Sequence, residues 1–99
     1  MKRYRVRVSA RARDDLRAIV ARIARDKPLA ARRFLARLRR RIQVLGSAPR
    51  LGRVVPELSI PVYRELIIAP YRVIYRLDPR ARRVDVVTVW HGARLLELE

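Results

Sequence analysis

The chain has 99 residues and a formal net charge of +16, a length that fits one domain with one core, residues 1–99. Its hydrophobic fraction of 51% argues against an intrinsically disordered chain. The absence of cysteine excludes thiolate chemistry, and a single histidine argues against a zinc site, so no metal or other cofactor is expected. No apolar run approaches the roughly 20 residues of a membrane span, and the N-terminus lacks the apolar core of a signal peptide, so we expect a cytoplasmic protein.

The positive charge comes from 23 arginines and only 2 lysines. A guanidinium group binds phosphate as a two-pronged fork and stacks on bases, which favours nucleic acid as a partner. The alternative is that arginine simply dominates the composition and forms a solvated surface. In either case the summed charge predicts non-specific binding to RNA or DNA backbones.

The first half of the chain predicts a strand followed by two helices. Apolar residues alternate with arginines over residues 3–8, the period of a half-buried strand. Ser9 can cap a first helix, in which apolar residues recur at helical spacing: Leu16, Ile19, Val20 and Ile23. Pro28 begins a second amphipathic helix, and Gly46 marks its end. Because the connection is short, the two helices form a hairpin.

The second half predicts a loop and three strands. Residues 47–61 are punctuated by prolines and a glycine, and strands follow over residues 62–68, 71–77 and 83–90. The result is an α+β fold of order β-α-α-β-β-β. An N-terminal strand and a helical hairpin precede a three-stranded antiparallel meander, and the helices pack on one face of the sheet.

Alternation along the second of these strands separates two faces of the sheet. One face carries apolar and aromatic residues that suit the helices: Tyr71, Val73, Tyr75 and Leu77. Arg72 and Arg76 lie on the other face, which we expect to be open to solvent or ligand. An open arginine face is either a phosphate-binding surface or the ordinary solvent-exposed side of a two-layer protein.

His91 is the only histidine and follows the last predicted strand. An imidazole titrates near neutral pH, so His91 is the obvious candidate for acid–base chemistry on a polyanion. The alternative is an ordinary surface or hydrogen-bonded histidine. If the last two strands pair through the turn at residues 78–82, His91 and Arg72 come near the same end of the sheet. The apolar tail, residues 95–98, either packs back on the sheet or docks on another chain.

Short segments throughout the chain, in this order, resemble the RelE/ParE superfamily of bacterial type II toxins. They are SARARDDL (residues 9–16), GRVVPEL (52–58), YREL (63–66), PYRVIYR (70–76) and VWHGAR (89–94). The resemblance covers essentially the whole chain. It implies a cognate acidic antitoxin as partner, in a toxin–antitoxin hetero-oligomer, and no membrane association.

The superfamily has two branches with different functions. RelE-like members cleave mRNA on the ribosome, whereas ParE-like members poison DNA gyrase with no known nuclease chemistry. Resemblance to the RelE-like branch implies metal-independent RNA cleavage, with Arg72 at the phosphate, Glu57 as base and His91 as acid. It also implies further phosphate-binding cations: Arg64, Arg76 and Arg94. On this basis we expect an endoribonuclease, a ribosome-dependent mRNA interferase that inhibits translation, and keep the non-enzymatic gyrase inhibitor as the alternative.

Two features depart from the RelE-like pattern. Tyr63, Arg64 and Glu65 stand where RelE carries paired lysines, and Gly92 stands where YoeB-type members place a tyrosine. The partners therefore stay open between ribosome with mRNA and DNA gyrase.

Overall fold

A computed structural model describes residues 3–92, in which a helical hairpin covers one face of a five-stranded sheet. The predicted α+β fold is confirmed, whereas Arg94 and the apolar tail lie outside the described residues. The elements in chain order are β1 (Arg5–Val8), α1 (Ala10–Asp26), α2 (Pro28–Val44), β2 (Arg53–Val54), β3 (Tyr63–Ile68), β4 (Tyr71–Asp78) and β5 (Arg83–His91).

The helices begin where their capping residues predict. The Ser9 hydroxyl accepts a hydrogen bond from the Ala12 N–H at 3.0 Å, which satisfies a free donor of the first turn of α1. Pro28 occupies the first turn of α2, where its missing N–H costs nothing, and a single residue separates the helices. Helix α2 ends at Val44, two residues before the predicted stop at Gly46. Among the described residues, no helix is both long enough and apolar enough to cross a membrane.

The strand order in the sheet is β1-β5-β4-β3-β2. Strand β1 runs parallel to β5, and the other neighbours are antiparallel. After the two helices the chain returns to the far edge of the sheet at β2 and reaches β5 last. The predicted three-stranded meander is β3, β4 and β5. Strand β2 was not predicted, since its two residues lie within the region interpreted as a loop.

Side chains near the start of α1 cover the part of β5 that β1 leaves unpaired. The Ser9 hydroxyl donates to the Val87 carbonyl, and the Asp15 carboxylate accepts from the Val89 N–H and the Thr88 hydroxyl. An open strand edge exposes backbone groups that need partners. Asp15 therefore has a structural role, because it satisfies donors of β5 that no other described strand pairs.

The main core lies between the helical hairpin and the sheet. It contains the four β4 residues predicted to face the helices, Tyr71, Val73, Tyr75 and Leu77, together with side chains from both helices. Their burial confirms the predicted assignment of this face.

The opposite face of the sheet differs from the prediction, which left it open to solvent. Val55 and Ile74 are completely buried there, and Leu58, Tyr63 and Trp90 pack against them. The segment that follows β2 folds across the sheet and covers this face. Arg72, predicted to be exposed, is consequently buried, with 8% of its surface accessible.

Candidate functional site

Arg72 is the centre of an ion-pair cluster on the loop-covered face of the sheet. Its Nη1 donates to Glu57 Oε2 at 2.6 Å and its Nη2 to Glu57 Oε1 at 2.8 Å. Its Nε donates to Glu65 Oε1 at 2.6 Å. Two carboxylates thus engage both ends of one guanidinium group, and the pair with Glu57 has the two-pronged geometry that is the strongest for arginine.

Glu65 anchors this cluster from within the sheet. Its side chain is completely inaccessible, and its second oxygen accepts from Arg53 Nε at 2.6 Å. A buried carboxylate is costly unless it is paired and hydrogen-bonded, and here two guanidinium groups supply that pairing. Arg53 lies on β2 directly opposite Glu65, so the cluster also holds the edge strand in place.

The cluster changes the protonation behaviour of its members. Hydrogen bonds from Arg72 lower the pKa of Glu57 from 4.5 to about 2. The same interaction raises the pKa of Arg72 above its ordinary value. Both groups are therefore charged at neutral pH, and Glu57 is a weak base.

His91 lies at the same end of the sheet as Arg72 but on the other face. The register pairs Tyr71 with His91 and Arg72 with Trp90, as the sequence argument expected for this end. Directly opposed residues share a face, and neighbours along a strand alternate. The His91 ring accordingly meets the Tyr71 ring edge-on at 5.5 Å on the helix side, while Trp90 packs on the loop-covered side.

Two clefts flank this end of the sheet. A cavity of about 350 Å³ on the loop-covered side is lined by residues that include Arg53, Glu57, Arg72 and Gly92. Another, of about 440 Å³, is lined by residues that include Asp15, Arg22, Tyr71 and His91. Arg72 and His91 therefore line different clefts. Within residues 3–92 no group of three or more histidine, aspartate or glutamate side chains is placed to hold a metal ion.

The two other predicted cations within the described residues do not join Arg72. Arg64 Nη1 donates to the Gly52 carbonyl at 3.0 Å, and its buried Nε has no hydrogen-bond partner among residues 3–92. Arg64 thus anchors the loop before β2, on the opposite face from Arg72. Arg76 shares the Arg72 face, four residues further along β4, and is half-buried.

Sequence reasoning missed Glu65 as a member of the site. A usable signal was present, because only Ala69 and Pro70 separate β3 from β4. A two-residue turn fixes the register, which pairs Ile67 with Arg72 and Glu65 with Ile74. Glu65 therefore lies diagonally across from Arg72 on the same face, within reach of a long side chain.

A second feature is the unbalanced charge of α2. This helix carries six arginines and no carboxylate: Arg32, Arg33, Arg37, Arg39, Arg40 and Arg41. Like charges three or four residues apart destabilise a helix slightly, about 0.2–0.5 kcal/mol per pair. Repulsion of this kind is relieved when a polyanion binds, so the helix surface suits an acidic or nucleic-acid partner.

A third feature is an apolar groove of about 570 Å³ between β1, α1 and α2. Its apolar walls are formed by Val6, Val8, Leu16, Val20, Leu35, Leu38 and Ile42. Arg13, Arg17 and Arg39 also line the groove. An apolar groove with a cationic rim is complementary to an amphipathic acidic helix.

Comparison with known proteins identifies the family. The family model described as the ParE toxin of the type II toxin–antitoxin system parDE matches residues 6–96. The chain belongs to the ParE toxin family. It is also 38% identical over 94 residues to the Sinorhizobium fredii protein named "Putative toxin Y4kP", with 93% of this chain and 92% of that protein covered. The sequence-based assignment to the RelE/ParE superfamily is therefore confirmed.

Solved structures show the same fold in both branches. The chromosomal ParDE system of P. aeruginosa gives a TM-score of 0.73 at 16% identity, covering 89% of this chain and 95% of that one. The RelBE2 toxin–antitoxin complex of Mycobacterium tuberculosis gives 0.65 at 27% identity, covering 90% and 98%. A mutant of E. coli RelE in the free state gives 0.65 at 16% identity, covering 92% and 85%. The protein is a toxin of a type II toxin–antitoxin system, and these similarities extend to both kinds of toxin.

Proposed function

We propose that this ParE-family toxin acts by binding its target, without a chemical step, and that the target is DNA gyrase, as the ParE-like resemblance implies. Both gyrase and the antitoxin would be met in the cytoplasm. The single observation that carries the proposal is the arrangement of Arg72. All three of its nitrogen atoms donate to carboxylates of the protein, and the candidate acid His91 lies on the opposite face.

This arrangement is poorly suited to cleavage of a phosphodiester bond. A general base works best when its pKa is near the operating pH, and that of Glu57 is about 2. A cation that stabilises the developing phosphate charge needs donors aimed at it, and the Nη1–Nη2 edge of Arg72 is occupied by Glu57 while its Nε–H donates to Glu65. Base, cation and acid would also have to converge on one phosphate, whereas Arg72 and His91 line separate clefts.

The second candidate function is the ribosome-dependent mRNA endonuclease. The arginines of α2 favour it, since the ribosomal A site is rich in phosphate. On this proposal Arg72 contacts the scissile phosphate, Glu57 and His91 serve as base and acid, and Arg64, Arg76 and Arg94 contact the RNA. It requires Glu57 to release Arg72 and the chain to rearrange around His91.

The antitoxin is proposed to occupy the groove between β1, α1 and α2. Solved relatives of both branches are described as toxin–antitoxin systems or complexes. An acidic antitoxin segment that folds on binding would place apolar residues between the two helices and carboxylates near Arg13, Arg17 and Arg39.

Purified components distinguish the two functions. We expect the toxin to inhibit supercoiling by gyrase and to leave mRNA intact on programmed ribosomes. Substitution His91→Ala should change gyrase inhibition little, whereas loss of a general acid would reduce RNA cleavage about 10²–10⁴-fold. Cleavage of ribosome-bound mRNA that is abolished by His91→Ala, with gyrase unaffected, would establish the nuclease instead.

A further inference from the structure

We propose that the outer face of α2 binds the phosphate backbone of double-stranded DNA without reading the base sequence. The contacts come from Arg33, Arg37 and Arg40, which form the outer arginine stripe of this helix. The inference goes beyond the proposed function, because it gives the toxin a direct contact with nucleic acid in addition to its contact with a protein target.

The helical repeat places these three arginines together on the side of α2 that faces away from the sheet. Residues three, four and seven positions apart share one side of a helix, and the three arginines have this spacing. The buried residues of α2 lie on the other side: Ala31, Leu38 and Ile42. All three arginines are exposed, and a rise of about 1.5 Å per residue makes the stripe about 10 Å long. The outer face of α2 therefore presents three cations in a row.

No carboxylate within residues 3–92 neutralises the stripe. Helix α2 contains no acidic residue. The ion pairs among the described residues use arginines of other elements: Arg17, Arg53, Arg72 and Arg83. The stripe also donates no hydrogen bond to a protein group in this part of the chain. Its guanidinium groups are therefore available to a ligand without the loss of any contact, and a polyanion would relieve their mutual repulsion.

The surroundings of the stripe favour a duplex over a single strand. Proteins that bind single strands combine cations with aromatic rings on which the bases stack. The one aromatic residue of α2, Phe34, is half-buried, and its ring packs against that of Tyr71 at a centroid distance of 5.2 Å. Contact with phosphates alone remains, and duplex DNA carries about one negative charge per 1.7 Å of its axis. The stripe therefore suits a duplex backbone.

The same surface lacks the apolar anchors that an acidic peptide needs. An acidic helix that docks on a protein lays an apolar face into a groove. Between Leu29 and Val44, at the two ends of α2, the exposed apolar surface consists of Ala36. The apolar groove is lined by Arg39 and not by the stripe, so an antitoxin segment in the groove leaves the stripe open. Phosphates and the antitoxin are thus expected to use different surfaces of α2.

The test is the salt dependence of binding to a short labelled DNA duplex, measured by fluorescence anisotropy with two unrelated sequences. The variant Arg33→Gln/Arg37→Gln/Arg40→Gln removes the stripe, and glutamine has a helix propensity similar to that of arginine. Each phosphate contact contributes about 0.9 to the slope of the logarithm of the association constant against that of the salt concentration. The slope should therefore fall in magnitude by about 2.7, and the affinity at low salt at least about 10-fold, equally for both sequences.

A matched control removes the same charge from another side of the molecule. Arg5→Gln/Arg7→Gln/Arg80→Gln changes three exposed arginines, of β1 and of the turn before β5. Arg5 and Arg7 alternate with Val6 and Val8, which line the groove beside the helices, so the two arginines lie on the other face of the sheet. This control should change the slope by less than about 1.

Two further variants separate the loss of the cations from the loss of the fold. Arg33→Lys/Arg37→Lys/Arg40→Lys keeps the charges and should keep the slope. The single substitution Arg37→Gln should lower the slope by about 0.9, and it tests the proposal if the triple glutamine variant does not fold.

Three results would overturn the proposal. Equal slopes in the stripe variant and the control would mean that total charge, and not this surface, binds DNA. Tighter binding of single-stranded DNA or of an RNA duplex than of the DNA duplex would overturn the assignment to duplex DNA. Loss of antitoxin affinity in the stripe variant, with DNA binding unchanged, would place an acidic protein on the stripe instead. The gyrase proposal is tested separately, by inhibition of supercoiling with the wild-type toxin.

Discussion

The buried pair between Glu65 and Arg72 makes the sharpest prediction about stability. Substitution Glu65→Leu removes a completely inaccessible carboxylate and leaves the Nε of Arg72, whose side chain is only 10% exposed, without its acceptor. Arg72 keeps its ion pair with Glu57, so the variant leaves one buried N–H donor without an acceptor and not an unpaired charge. An unsatisfied buried donor costs about 1–3 kcal/mol. A domain of this size has a total stability of about 5–15 kcal/mol, so the loss should be readily measurable.

Urea unfolding followed by circular dichroism measures this loss. Asp14→Leu makes the same chemical change at an ion pair with Arg17, where both side chains are more than 70% exposed. That pair should contribute less than about 1 kcal/mol. The double variant Glu65→Leu/Arg72→Met replaces the buried pair by apolar side chains and should recover most of the loss.

Two results would refute this reasoning. If Glu65→Leu costs no more than Asp14→Leu, the carboxylate is not buried as described. If the double variant is no more stable than Glu65→Leu alone, the cost does not come from the unsatisfied Nε of Arg72.

Three further predictions concern other parts of the molecule. The pKa of Glu57 is about 2 when folded against an ordinary 4.5, so the unfolded chain takes up the proton first as the pH falls. The stabilisation that Glu57 contributes is present above about pH 4.5 and is lost between about pH 4.5 and about pH 2. In that window the free energy of unfolding of Glu57→Gln, measured in urea, should depend less on pH than that of wild type. The same pH dependence in both proteins would contradict the ion pair. The Gly52 N–H donates to the Tyr75 hydroxyl at 2.9 Å, and Tyr75→Phe removes this acceptor. The free energy of unfolding should fall by about 1–3 kcal/mol, as measured by thermal unfolding. A loss near zero would mean that water replaces the hydroxyl. Leu35→Glu places a charge in the groove and should weaken antitoxin binding at least about 30-fold, as measured by calorimetry. Leu29→Glu, on an exposed part of α2, should leave the affinity unchanged. Equal effects of the two substitutions would place the antitoxin elsewhere.

The secondary structure followed closely from local signals in the sequence. Ser9 and Pro28 marked helix starts, and the period of apolar residues separated helices from strands. These signals are local, since a cap or an amphipathic stripe acts within a few residues. Strand β2 was not predicted, because two residues are too few to show the alternation of a strand.

The site was harder to predict, because its residues meet only after folding. A loop glutamate, Glu57, and a strand glutamate, Glu65, converge on Arg72, and charged residues in isolation are expected to be exposed. Alternation along β4 correctly separated its two faces. It could not show that the segment after β2 covers the arginine face, or that His91 lies across the sheet from Arg72.

The central claim is that this toxin acts by binding gyrase and not by cleaving RNA. Pulse labelling of DNA and protein synthesis in parallel, in the first minutes after induction without antitoxin, tests it most directly. The account predicts that DNA synthesis falls first, with induction of the SOS response, and that His91→Ala retains this effect. An early and selective fall in protein synthesis, relieved by His91→Ala, would contradict it.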